Sequence, residues 1–141
     1  MLRIQNLLRK GIKKMGTQTK ATILIVDDEQ VIRDLLRRCL EGNDYEVLLA
    51  QNGSEGVRIF LENQGKINLI ILDMLMPGGM GGEQVLGQIR AVDAQVKVLI
   101  CSGFFSPDHM EILRQLGIAG IIKKPCLPGE FMQEVEKALQ P

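Results

Sequence analysis

The chain has 141 residues, 45% of them apolar and 24% charged, which suits one folded domain with a single packed core and not a disordered chain. Seventeen basic and seventeen acidic residues cancel overall, but Arg3, Arg9, Lys10, Lys13, Lys14 and Lys20 all fall in residues 1–20, where there is no acid. The remainder therefore holds eleven bases against seventeen acids, a net charge of −6. That acidic remainder argues against direct nucleic-acid binding, since phosphate affinity comes from clustered bases. No apolar stretch approaches the ~20 residues of a membrane span, and the start of the chain lacks the apolar segment and cleavage site of a secretory signal. Cys39, Cys101 and Cys126 are widely spaced, odd in number and without a metal-binding spacing. They read as reduced, mostly buried thiols of a cytoplasmic protein. His109, the single histidine, lies in a polar stretch and reads as a surface residue.

On a helical wheel Ile4, Leu7, Leu8, Ile12 and Met15 share one side of the first segment, with Arg9, Lys10, Lys13 and Lys14 opposite. Residues 1–20 are thus a basic extension. It is either a disordered leader or an amphipathic helix suited, through residues 1–15, to an anionic membrane surface or an acidic partner; Gly11 and its short length weaken the helix. Residues 21–141 form the domain. Ile23 to Val26 lies in a strand over 22–26, and 30–41 is a helix with Val31, Leu35, Leu36, Cys39 and Leu40 on its apolar face and Gly42 as its C-cap. A strand over 45–50, an Asn52-Gly53 turn, a helix over 54–62 and a strand over 67–72 come next. Pro77 and the run Gly78-Gly79-Met80-Gly81-Gly82 lead into a helix at about 83–91. The last elements are a strand over 97–101, a helix over 108–116, a strand over 118–123 and a helix over 129–139.

Five βα units with continuously apolar strands specify an α/β, flavodoxin-like doubly wound (βα)5 fold, its five-stranded parallel sheet covered on both faces. In the order 2-1-3-4-5, strands 1 and 3 are neighbours, and Asp27, Asp28 and Asp73 meet at the carboxyl edge. Three carboxylates gathered there repel one another unless a hard cation such as Mg2+ lies between them. A carboxylate beside such a cation can act as a nucleophile toward phosphorus. Ser102 ends the fourth strand and Lys124 the fifth, supplying a hydroxyl and a cation for phosphoryl oxygens. Phosphoryl transfer asks for such positioning and charge neutralisation more than for covalent help. Each residue alone is an ordinary turn residue; all of them together, at four strand ends in this order, are not.

The segments Ile25-Val26-Asp27-Asp28-Glu29, Leu72-Asp73-Met74-Leu75-Met76-Pro77, Cys101-Ser102-Gly103 and Lys123-Lys124-Pro125 resemble the receiver domain of two-component response regulators over residues 21–140. The resemblance implies that Asp73 is the phospho-acceptor. It implies that Asp28 binds Mg2+ directly and Asp27 mainly through water, with the Leu75 backbone carbonyl completing the protein ligands. Ser102 is then the switch hydroxyl and Lys124 the phosphoryl-binding lysine. A sensor histidine kinase or histidine phosphotransfer protein is the implied donor, and helix 4, strand 5 and helix 5 form the implied output surface. The chain departs from the family at Ile121, where an aromatic switch residue is common. Its glycine-rich loop is one residue longer than the commonest form and is similar to that of receivers in hybrid sensor kinases. The positions flanking the hydrolytic water's approach, two residues after the acceptor and two after the switch hydroxyl, are Leu75 and Phe104, which implies a long-lived phosphoaspartate. The sequence leaves no room for an output domain after the last helix, so a stand-alone receiver and one cut from a larger protein both fit. A haloacid-dehalogenase-like phosphohydrolase uses similar parts, but with its nucleophile after the first strand and its acidic pair last, the reverse of the order here.

Overall fold

A computed structural model describes residues 19–103 and 105–141 of the protein. The expectations for the basic segment over 1–18 and for Phe104 lie outside the described residues. The elements alternate as β1 (Thr22–Val26), α1 (Gln30–Glu41), β2 (Glu46–Ala50), α2 (Gly53–Glu62), β3 (Leu69–Asp73), α3 (Gly82–Val92), β4 (Lys97–Ser102), α4 (Pro107–Gln115), β5 (Gly120–Lys123) and α5 (Pro128–Leu139). All strands pair in parallel in the order β2-β1-β3-β4-β5, the doubly wound arrangement expected. Among the described residues no helix is long and apolar enough to cross a membrane.

The continuous apolar runs are explained by the two faces. Alternation along a strand sends Leu24, Val26, Ile70, Leu72, Val98 and Ile100 to one side, where they pack with Phe60 of α2, Val85, Leu86 and Ile89 of α3 and Leu113 of α4. Ile23, Ile25, Leu69, Ile71, Leu99 and Cys101 go to the other, against Leu36 and Leu40 of α1 and Phe131, Val135 and Ala138 of α5. Every residue of β3 is buried. At roughly 1.5–3 kcal/mol for each large apolar side chain removed from water, this strand is the centre of the fold, and its terminal Asp73 is carried in with it.

Two expectations for α1 fail. Val31 is 77% exposed and Leu35 44% exposed, while Leu36 and Leu40 hold the helix to the sheet. The apolar stripe is wider than the buried face, and its outer part is left on the surface near the carboxyl ends of the strands. Gly42 caps α1, but in a right-handed conformation; the left-handed residue of this turn is Asp44. Asp73 and Ser102 prove to be the last residues of β3 and β4 and not the first of their loops.

Candidate functional site

Register builds the site. Val26 pairs with Leu72 on β1 and β3, so Asp27 and Asp73 leave adjacent strands at the same level. Asp27 is held by its N–H donating to the Ala50 carbonyl at 3.2 Å, which extends the β1–β2 ladder. Its carboxylate Oδ1 accepts from Glu29 N–H at 2.9 Å, and its own carbonyl accepts from the Arg33 guanidinium at 2.8 Å. Asp73 pairs with Cys101, and Ser102 with Lys123. The Lys124 N–H donates to the Ser102 carbonyl at 2.8 Å, which fixes the chain just before the cis Lys124-Pro125 bond.

Asp27, Asp73 and Ser102 are the buried polar residues of the described chain, at 2%, 4% and 4% exposure. One carboxylate oxygen from each of Asp27, Asp28 and Asp73 lies within 4.8 Å of the others. The Lys124 ammonium enters this cluster, 2.9 Å from Asp27 Oδ2, 3.6 Å from Asp73 Oδ2 and 3.8 Å from Glu29 Oε1. Asp73 Oδ1 accepts from Leu75 N–H at 3.3 Å. Burial, and then the charge of Asp27, push the Asp73 carboxyl up to about 6, against the opposing pull of Lys124 and the Leu75 N–H. Burial alone would lower the Lys124 ammonium, but the hydrogen bond and charge of Asp27, with the charge of Asp73, outweigh it and hold it raised. The result is a pocket with an excess of negative charge into which Lys124 brings a cation in contact with the carboxylates. Its oxygen-only donor set suits a hard divalent cation such as Mg2+ and not a softer metal.

Of the residues expected from the sequence, Asp27, Asp28, Asp73 and Lys124 meet in this pocket, while Ser102 is buried at the end of β4, the strand next to β3. Leu75 stands at its rim, 75% exposed. Ile121 is half buried, packed on the core side shared with Ile100, and does not enter the acidic cluster. Lys123, the alternative to Lys124, is exposed. Sequence reasoning missed Glu29 and Arg33, which surround Asp27. Their signal was their position, two and six residues past Asp27, where the first helix turns back over the strand end. His109 is on the surface as expected, its Nε2 3.4 Å from Glu83 Oε2. The three cysteines are free; Cys101 is buried, and Cys39 and Cys126 are partly so.

A family model described as the response regulator receiver domain matches residues 23–136. The chain belongs to this family. Chemotaxis protein CheY of Listeria monocytogenes is 32% identical over 117 residues, covering 82% of this chain and 96% of that protein. The transcriptional regulatory protein YkoG of Bacillus subtilis is 34% identical over 122 residues, 86% of this chain, which spans only 52% of that longer relative. The receiver domain of the hybrid histidine kinase CckA superposes with a TM-score of 0.72 at 32% identity, covering 85% of this chain and all of that one. Receiver domains are phospho-accepting regulatory switches of two-component signalling and generally bind Mg2+ at an acidic pocket, and the cluster of Asp27, Asp28 and Asp73 could hold such an ion. The haloacid-dehalogenase-like alternative finds no support in these relatives.

Proposed function

We propose that this receiver domain takes a phosphoryl group onto Asp73 from a phosphohistidine of a sensor kinase or phosphotransfer protein. The observation that carries this reading is the convergence of Asp27, Asp28, Asp73 and Lys124 at the carboxyl ends of three strands. Asp73 attacks phosphorus through one carboxylate oxygen; the new P–O bond forms as the P–N bond to the donor imidazole breaks, and the imidazole leaves with the bonding pair. Asp28, Asp73 and the Leu75 carbonyl would hold Mg2+ directly, with Asp27 beside them. When bound, the ion supplies neutralisation of the transferring oxygens. Lys124, held in place by Asp27, turns its ammonium to the phosphoryl group as that charge arrives. Ser102, on β4 beside β3, provides the hydroxyl that responds to it. The half-buried Ile121 leaves this response without an aromatic partner.

Four of the exposed large apolar residues, Val31, Leu35, Leu75 and Leu127, belong to α1 and to the loops after β3 and β5, where the acidic site opens. Such a rim favours a docked protein donor over transfer from small metabolites alone. Residues 21–141 suffice for this role. The chain catalyses at most its own phosphorylation and dephosphorylation. The test is intact mass after incubation with Mg2+ and acetyl phosphate. One phosphoryl mass is expected on the wild-type chain and none on Asp73→Asn or with chelator; labelling of Asp73→Asn overturns the assignment.

A further inference from the structure

The backbone of Asp27 is held on both sides. Its N–H donates to the Ala50 carbonyl at 3.2 Å, and its carbonyl accepts from the Arg33 guanidinium at 2.8 Å. That carbonyl belongs to the Asp27–Asp28 peptide, whose atoms lie in one plane. Fixing the carbonyl therefore fixes the plane that joins the two residues, with Asp27 at one end and Asp28 at the other. Both carboxylates reach the cluster with Asp73, and that of Asp27 also holds the Lys124 ammonium at 2.9 Å. One arginine thus stands behind two carboxylates and, through Asp27, a lysine.

Arg33 is the fourth residue of α1. Its own N–H donates to the Glu29 carbonyl at 3.0 Å and closes the first turn, while its side chain turns back to the end of β1. Helix stability does not account for this placement. A cation near a helix amino end opposes the helix dipole, and the first turn of α1 carries no acid to offset it. Two other arginines differ in informative ways. Arg37, four residues on, approaches Asp34 at 3.6 Å with the two side chains 40% and 41% exposed. Arg90 of α3 also donates to carbonyls, those of Asp93, Val96, Leu116 and Gly117, but at the opposite edge of the sheet, in the segments leading into β4 and β5.

We propose that Arg33 is a positioning residue of the phosphoryl site: its bond to the Asp27 carbonyl sets the Asp27–Asp28 peptide so that both carboxylates are presented to one divalent cation and Lys124 stays beside Asp73. Its part in phosphoryl transfer rests on the reading of Asp73 above. Its hold on Asp27 and Lys124 does not.

Two measurements on the full 141-residue chain test it. The first is urea unfolding in EDTA of Arg33→Gln, Lys124→Ala and the double variant. The two losses should be coupled, leaving the double variant at least about fivefold more stable in its unfolding equilibrium constant than independent losses would make it. Arg37→Gln combined with Lys124→Ala should be additive within about twofold. Additive losses for Arg33→Gln and Lys124→Ala overturn the proposal. The second is Mg2+ titration followed by amide shifts. Arg33→Gln should weaken the affinity about tenfold, the lower end of what loss of a group behind a metal ligand costs. Because one nitrogen makes the bond to Asp27, the ammonium of Arg33→Lys should recover part of that loss, to within about threefold of wild type. Arg37→Gln removes the same charge from an exposed pair and should stay within about twofold. Arg90→Gln should do the same while lowering stability, since it strips several carbonyls of their donor. Equal loss in Arg33→Gln and Arg37→Gln would mean that charge alone acts, and unchanged affinity in Arg33→Gln would mean that the arginine only supports the fold; either result overturns the proposal. A wild-type chain that takes neither Mg2+ nor a phosphoryl group from acetyl phosphate refutes the reading of Asp73, and the cycle in EDTA then judges Arg33 by itself.

Discussion

The Lys124 ammonium lies 2.9 Å from Asp27 and 3.6 Å from Asp73, so the lysine is hydrogen-bonded to the neighbour of the proposed acceptor and not to the acceptor itself. The arrangement keeps the cation inside the cluster while leaving Asp73 able to react. Lys124→Ala removes the ammonium that is ion-paired with two buried carboxylates. It is expected to weaken phosphorylation-dependent shifts strongly and to lower stability, since breaking a buried pair costs about 3–5 kcal/mol. Lys123→Ala, at an exposed position, should stay within about 0.5 kcal/mol of wild type. Urea unfolding of the two variants decides the point, and the reverse ranking would show that the register is wrong by one.

Asp73 gives the metal-free protein a pH dependence of definite sign. Its carboxyl is raised from 3.8 to about 6 in the fold, so the folded state binds this proton more tightly than the unfolded one. The associated stability is complete below about pH 4 and is lost as pH rises through 6. Ionised Asp73 then costs on the order of 3 kcal/mol at neutral pH. In EDTA, Asp73→Asn should be more stable than wild type at pH 7.5, and the difference should vanish toward pH 4. A difference independent of pH would show that burial and the Asp27 charge do not set the ionisation of Asp73.

Metal binding should reverse that penalty. A cation that binds only the folded state stabilises it by mass action, about 2.7 kcal/mol at a concentration one hundred times its dissociation constant. Mg2+ should therefore raise the melting temperature of the wild type at pH 7.5. Asp28→Asn should abolish most of the rise, although Asp28 is exposed and its loss should leave the metal-free stability almost unchanged. An equal Mg2+ response in Asp28→Asn would remove Asp28 from the ligand set.

The glycines around α3 behave oppositely. A Cβ on Gly82 would come within 2.5 Å of the Asp73 carbonyl and 2.7 Å of Met74 Cα, whereas one on Gly87 meets nothing within 4 Å. Gly82→Ala must push the β3–α3 loop away from the acceptor strand and is expected to cost about 1–3 kcal/mol and to slow labelling by acetyl phosphate. Gly87→Ala, exposed inside the helix, should stabilise by about 0.4–1 kcal/mol. Thermal melts of the two single variants suffice, and a stabilising Gly82→Ala would mean that the loop is not clamped.

These contrasts mark how far the sequence alone could be read. Strand order and the meeting of Asp27, Asp28, Asp73 and Lys124 were legible because a parallel sheet buried on both faces needs unbroken apolar runs, and the polar residues at the ends of those runs are forced to one edge. The exposure of Val31 and Leu35 was not, because helical periodicity reports which side chains could be buried and not how wide a face the sheet offers. Arg90 was invisible for a related reason: its partners are backbone carbonyls contributed by Asp93, Val96, Leu116 and Gly117, and a carbonyl carries no sequence signature. The departure at Ile121 was legible as a substitution, but its half-buried packing against the core came only from the structure.

The lifetime of the phosphorylated form is the remaining consequence of the rim. Hydrolysis of an aspartyl phosphate needs a water held in line behind phosphorus by polar groups. Leu75 lies two residues past Asp73 and is 75% exposed at the mouth of the site; its N–H is directed to Asp73 Oδ1, and its side chain offers nothing to orient a water. Phe104, two residues past Ser102 in the sequence, is apolar as well. Supplying polar groups at both positions, Leu75→Asn with Phe104→Glu, should speed loss of phosphate by about 10–100-fold, the scale of a single positioning or proton-transfer contact. Leu75→Asn alone should account for part of the gain, because that position opens directly on the acceptor. The decay is tracked by intact mass after removal of acetyl phosphate, with Mg2+ held constant so that only the approach of water differs between variants. Unchanged decay in the double variant, with labelling still dependent on Asp73, would mean that the lifetime is set at the phosphoryl group by Lys124 and Ser102 and not by access at the rim.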